Sequence, residues 1–234
     1  RDSDDDDFDV DAPPLGKADP LEEDRTLKAS PDWRPEPKGR RPDDDIRRFS
    51  RIRVIGQYLG RYLICHEEDR LVLIDRQVAT ELILETALKG EGEGRSQPLL
   101  IPRVGEVEPS QVAALKGIVP GLRSLGLEID PFGGESFAIK ALPSALGDRD
   151  PLLLLKALAA GAKSVSEGDD LIPLVARAGA RDLKGSLKPS EYPHFLNQLD
   201  DALLKGAVEG PVPLLVNLSR HGVARLFEAQ RGGL

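Results

Sequence analysis

The sequence predicts an α+β fold, and three observations carry the prediction. Short runs rich in Val, Ile, Leu and Tyr cluster between Arg53 and Asp75, whereas longer segments with helical starts and spacing dominate after Asp150. The two kinds of segment mix without a strand–helix–strand rhythm, which argues against a parallel sheet. Hydrophobic residues make up 40% of the chain and aromatic residues only 4%, so a core has to be assembled mainly from Leu, Ile, Val and Ala.

Taken in order, residues 1–48 are rich in Asp, Pro and Arg, opening on Asp4-Asp5-Asp6-Asp7 and nearly closing on Asp43-Asp44-Asp45. Such a stretch buries too little apolar surface to offset its ordering entropy, and a disordered acidic linker is expected. Trp33 reads either as a stray aromatic in that linker or as a short partner-binding motif. Order is expected from Phe49. Arg53 to Tyr58, Tyr62 to Cys65 and Leu71 to Asp75 predict three strands, with turns at Gly60 and at His66 to Arg70. A helix is expected over 77–88, with Asp75 as its cap, ended by the flexible Gly90 to Gly94 stretch. A strand follows at Leu99 to Ile101, then a helix over 110–125 that Pro120 should kink or split. Leu127 to Ile129 and Ser136 to Ala141 predict a hairpin around Gly133-Gly134. Asp150-Pro151 supplies a side-chain cap and a first-turn proline for a helix reaching Ala162. Further helices are expected over 170–178 and 190–204, and a final strand at Val223 to Phe227.

Charge and composition narrow the function. The net charge is −8, but residues 1–50 carry 16 acidic against 10 basic side chains, leaving 24 against 22 for the remainder. The acidity belongs to the linker. The nearly balanced remainder lacks the basic excess that sequence-independent DNA binding draws on. No apolar run approaches the roughly 20 residues of a membrane span, and residues 1–30 do not have the pattern of a signal peptide. Cys65 is the only cysteine, so no intrachain disulfide forms, and a reducing compartment is expected. A chain that starts at Arg1 and contains no methionine is expected to be a fragment. His66 and His194 read as surface residues. Ser136, Ser164 and Ser219 carry no nucleophile motif, and neither glycine cluster has the context of a phosphate loop.

Several motifs together carry a family resemblance. Gln57-Tyr58-Leu59-Gly60-Arg61-Tyr62-Leu63-Ile64 followed by Leu71-Val72-Leu73-Ile74-Asp75 resembles the opening of the C-terminal dimerisation domain of MutL-type mismatch-repair proteins. Asp75-Arg76-Gln77-Val78-Ala79-Thr80-Glu81 stands at that family's D-Q-H-A-x-x-E motif. Gln97-Pro98-Leu99-Leu100-Ile101-Pro102 matches its Q-x-[LI]-[LI]-x-P stretch, and Ile139-Lys140-Ala141-Leu142-Pro143 resembles its central subdomain. Lys184-Gly185-Ser186-Leu187-Lys188 resembles its A-C-x-x-[AS]-[IV]-[KR] region, and Ser219-Arg220-His221-Gly222 stands for its C-P-H-G. The likeness spans about residues 49–230.

The resemblance implies a dimerisation subdomain from residues 49–95 plus 168–230, with an inserted regulatory subdomain over 96–167. It implies a homodimer, an ATPase domain upstream that supplies ATP binding, and work in the cytoplasm at the nucleoid. The implied partners are a MutS-type mismatch sensor reached through the full-length protein, DNA reached indirectly, and the replication sliding clamp. No membrane is involved. Gln97, Leu99, Leu100, Ile101 and Pro102 are the clamp-binding candidates: a Gln anchor and aliphatic side chains on an extended peptide suit a hydrophobic groove. The competing reading is a strand whose Leu99 and Ile101 fill the core, and alternate residues of one strand can serve both ends.

Many members of the family nick DNA at a metal site, where a divalent cation activates water. The implied ligands are the Asp, His and Glu of D-Q-H-A-x-x-E, two cysteines, and the His of C-P-H. Asp75, Glu81 and His221 remain here as candidate metal residues. Gln77 replaces the histidine, Leu183 stands near the first cysteine, and Ser219 stands at the second. Gln77, Glu81 and Glu85 share a helix face, which is either a remnant of the site or an ordinary wet face. Losing both thiolates leaves at best weak Mn²⁺ or Mg²⁺ binding. The expectation is a docking module with no catalytic residue and no cofactor of its own. The alternative is a divergent metal-dependent DNA-nicking endonuclease.

Overall fold

The computed structural model describes residues 49, 52–90, 95–165, 170–205 and 214–231. The expected linker, Trp33 included, and residues 91–94 lie outside the described residues. Helices and antiparallel sheets mix, giving the α+β class.

The first sheet has the order β1-β2-β3-β7, built from β1 (Arg53–Tyr58), β2 (Tyr62–Glu67), β3 (Arg70–Asp75) and β7 (Leu215–Ser219). All its pairings are antiparallel. Alternation along the strands splits the side chains between two faces. Leu63, Cys65, Val72 and Ile74 are fully buried on one face, in a core shared with Phe195, Leu196 and Leu199 of helix α5 (Tyr192–Leu204). Asp200 of that helix accepts a hydrogen bond from the Phe49 N–H (2.9 Å), which anchors Phe49 to this core.

Helix α1 (Arg76–Gly90) begins where β3 ends. The Asp75 carboxylate accepts from the Gln77 N–H (2.9 Å) and the Val78 N–H (3.4 Å), the expected side-chain cap. The far end of α1 contributes Leu84 and Leu88 to a second, larger core. That core holds the sheet β4-β6-β5, made of β4 (Ser96–Glu106), β5 (Glu128–Gly133) and β6 (Ser136–Pro143), with helices α2 (Pro109–Ser124), α3 (Pro151–Ala162) and α4 (Ile172–Ala180). Asp150 caps α3 as its sequence requires, accepting from the Leu152 N–H (2.8 Å) and the Leu153 N–H (3.2 Å).

Helix α4 packs in the larger core. Two expectations need correction. Pro120 does not split α2; Pro120 and Lys116 are exposed, so the carbonyl that the ring leaves without an N–H partner can turn to water. The final strand is not Val223 to Phe227. It is Leu215–Ser219, and Val223 to Phe227 is the middle of helix α6 (Arg220–Arg231). No helix among the described residues is long and apolar enough to cross a membrane.

Candidate functional site

The candidate docking segment sits on β4, an edge strand of its sheet. Pro98 pairs with Ala141, but the next paired residue, Arg103, faces Ile139. Leu99, Leu100, Ile101 and Pro102 therefore stand against Lys140 alone, a wide bulge that lifts the backbone away from its neighbour. Leu99 turns inward and packs on the larger core. Leu100 and Ile101 turn outward at 104% and 74% exposure, and Gln97 is exposed beside them. The competing reading of this segment is resolved for Leu99, which faces the core, and reversed for Ile101, which does not. Pro98 and Pro102 flank the aliphatic residues and carry no backbone N–H, as suits an edge strand that must not pair unspecifically.

A second, partly exposed apolar surface lies on the first sheet. Its outer face carries Ile64, Leu71, Leu73, Val216 and Leu218, in the register rows Ile64–Leu73–Val216 and Leu71–Leu218. All five are partly exposed. A contiguous aliphatic face of this kind calls for a cover.

The candidate metal residues do not come together. Asp75 and Glu81 lie at and just beyond the start of α1. Because β7 runs antiparallel to β3, Ser219 pairs with Arg70, while Leu214 accepts from the Asp75 N–H (3.1 Å). Five residues of strand, roughly 17 Å at 3.4 Å each, separate the level of Ser219 from that of Asp75. His221, just past β7, is thus at the wrong end of the sheet. The residue that meets Asp75 is Leu214, just before this strand, and residues 206–213 lie outside the described residues.

Nor are Asp75 and Glu81 free. Arg61 donates to Asp75 (Nη2–Oδ2 2.9 Å; Nε–Oδ2 3.2 Å), and this hydrogen bond holds the Arg61 pKa above its ordinary value. Arg177 donates to Glu81 at 3.0 Å. With Gln77 at the histidine position and Leu183 at a cysteine position, the side chains present do not fit the nuclease ligand set. No group of three metal-ligating side chains forms among the described residues.

Their neighbours in these motifs organise the loop over 181–188, a role sequence reasoning missed. Gln57 grips it from β1: its Nε2 donates to the Leu187 carbonyl (2.7 Å) and the Tyr192 hydroxyl (2.8 Å), and its Oε1 accepts from the Leu187 N–H (3.0 Å). Arg76, only 6% exposed, donates to the carbonyls of Gly60 (2.7 Å), Leu183 (2.6 Å) and Gly185. Gly60 adopts φ +65°, and a Cβ there would meet the Gly185 backbone at 3.3 Å. The glutamine and glycine of the Q-x-x-G pattern thus serve one loop. On its other side, Asp182 accepts from the Asp150 N–H (2.9 Å), its carbonyl accepts from Arg149, and Lys184 pairs with Asp148 at 2.7 Å. The loop therefore joins the start of α3 in one core to the sheet of the other.

The α+β domain thus presents an exposed bulge and a partly exposed aliphatic sheet face. Sequence comparison places it more closely. The family profile of the MutL C terminal dimerisation domain matches residues 55–178, a little over half of the chain. The chain is 32% identical over 194 residues to the DNA mismatch repair protein MutL of Syntrophobacter fumaroxidans, covering 79% of this chain and 28% of that protein. It is 30% identical over 208 residues to the MutL of Anaeromyxobacter dehalogenans, with 84% and 33% covered. It is 36% identical over 115 residues to that of Trichlorobacter lovleyi, with 48% and 20% covered. The chain belongs to the MutL C-terminal dimerisation domain family. It spans a third or less of the length of these curated relatives.

Proposed function

We propose that this chain is the homodimerising and partner-docking region of a DNA mismatch-repair protein, and that residues Gln97 to Pro102 dock on the replication sliding clamp. The observation that carries the docking reading is the β4 bulge. Leu100 and Ile101 are presented to solvent while Leu99 anchors the loop to the core. Two exposed aliphatic side chains beside an exposed Gln give a groove its apolar contacts and its amide contact. Two-fold pairing of the outer sheet face, through Ile64, Leu71, Leu73, Val216 and Leu218, would cover the surface that the single chain leaves open. In this reading an upstream ATPase domain and a MutS-type sensor act through the whole protein in the cytoplasm, and this region works without a cofactor.

The test is calorimetric titration of the full chain against the sliding clamp, with sedimentation to give its mass. Gln97→Ala with Leu100→Ala should abolish binding while the dimer mass and the circular dichroism spectrum stay unchanged. Undiminished clamp affinity in the folded double variant would sink the docking assignment. A clean monomer at micromolar concentration would sink the dimer.

A further inference from the structure

The start of α1 is surrounded by guanidinium groups. Arg61 holds Asp75 and Arg177 holds Glu81. Between them Arg76 is buried and bound to three backbone carbonyls drawn from the β1–β2 turn and the 183–185 loop. Among the described residues no carboxylate pairs with Arg76. A buried cation without a counterion is costly unless its donors are satisfied, and carbonyl oxygens are the ligands that a hard metal ion would also take. Burial, followed by the nearby charge of Arg149, lowers the Arg76 pKa, and Glu191 opposes this. The arrangement is a cation site whose cation is covalently part of the chain.

We infer that Arg76 is a resident structural cation. It ties the β1–β2 turn, the start of α1 and the 183–188 loop together as a bound divalent ion would, and with Arg61 and Arg177 it closes the start of α1 to metal. Three positive charges repel an arriving dication, and the two carboxylates that might compensate are already engaged. Arg76 also grips the loop that bridges the two cores, so it is the pin through which that loop is held to the dimerising sheet. This deepens the docking-module reading: the family's metal position is kept as a joint and not as a reaction centre.

The experiment uses the full chain in three arms. First, thermal melts are run with Mn²⁺, with Zn²⁺ and with a chelator. The melting temperature should move by less than about 1 °C, whereas a metal at a hundred times its Kd would raise it by roughly 5–10 °C. Second, amide exchange is followed in residues 183–188. Arg76→Gln should speed it by roughly tenfold or more, the scale of one lost charged hydrogen bond, and Arg76→Lys should fall in between, since it keeps the charge but loses the fork. Third, sedimentation gives the dimer mass throughout, so that a monomeric parent chain would defeat the dimer reading without touching this one. Unchanged loop exchange in Arg76→Gln would overturn the inference. So would a metal-induced rise in the parent's melting temperature that Glu81→Gln abolishes. If Arg76→Gln does not fold, Arg76→Lys and the metal arm on the unaltered chain decide the matter.

Discussion

Replacing Gln57 with alanine removes three hydrogen bonds at once: two to the backbone of Leu187 and one to the Tyr192 hydroxyl. Each is worth about 0.5–1.5 kcal/mol net, more where the abandoned partner stays dry. The site is part-buried, so water can reach some of the orphaned groups, and a loss of about 2–3 kcal/mol is expected. Urea denaturation at one fixed protein concentration would measure it, since a dimer's midpoint depends on concentration. The midpoint should fall with an unchanged m-value. Gln57→Glu adds a sign test. A carboxylate can still accept from the Leu187 N–H, but it faces the Leu187 carbonyl with no proton to give. Its folded pKa must then rise above the ordinary Glu value of about 4.3. The destabilisation should be fully present above that raised value and relieved as pH falls through it. A loss below about 0.5 kcal/mol in Gln57→Ala, the range of an ordinary surface substitution, would refute the claim that Gln57 holds the loop.

Other outcomes follow from single residues. Cys65 is fully buried, and burial pushes its thiol pKa up to about 12, so a thiol reagent at pH 8 should label it only after denaturation; fast labelling of the native chain would show that this sheet face opens. Glu68 turns β2 into β3 at φ +50°, and Glu68→Gly should stabilise the chain by about 0.5–1 kcal/mol by removing left-handed strain, read as a higher melting temperature. Asp130 has its pKa lowered by the hydrogen bond from Lys140, with Arg123 adding to the effect. Its small stabilisation relative to Asp130→Asn should be fully present above the ordinary Asp range and disappear as pH falls through the lowered folded value, which denaturation at several pH values would show.

Much of the fold was legible because it is local. Alternation in Tyr62 to Cys65 and Leu71 to Asp75, and caps such as Asp75 and Asp150, act within a few residues. Val223 to Phe227 misled because a β-branched and aromatic run satisfies strand propensity while Val223, Leu226 and Phe227 also stand at helical spacing. Conversely, Leu215–Ser219 gains its identity from pairing with β3, some 140 residues earlier, and no short window contains that partner. The site residues divide in the same way. Gln97 to Pro102 stood out by its likeness to the family's Q-x-[LI]-[LI]-x-P stretch, and the bulge that exposes Leu100 and Ile101 lies within that motif. Arg76 could not: an arginine at a helix start reads as solvated, and only the return of the 183–185 loop surrounds it with carbonyls. The level that His221 reaches was not legible, because the direction of β7 decides which end of the sheet it lies at.

The β4 bulge shows how one segment meets two demands that conflict in a regular strand. A ladder with period two would give Leu99 and Ile101 the same face, so burying one would bury the other. Setting four residues against one breaks that period. Leu99 can then hold the loop to the core while Leu100 and Ile101 both face outward. The cost is a stretch of unpaired backbone on an open edge, and Pro102 reduces it by having no N–H to leave unsatisfied. Exposed aliphatic side chains on such an edge would ordinarily invite aggregation. The prolines on either side and the bend of the bulge keep the exposed stretch too short and too irregular to template another strand.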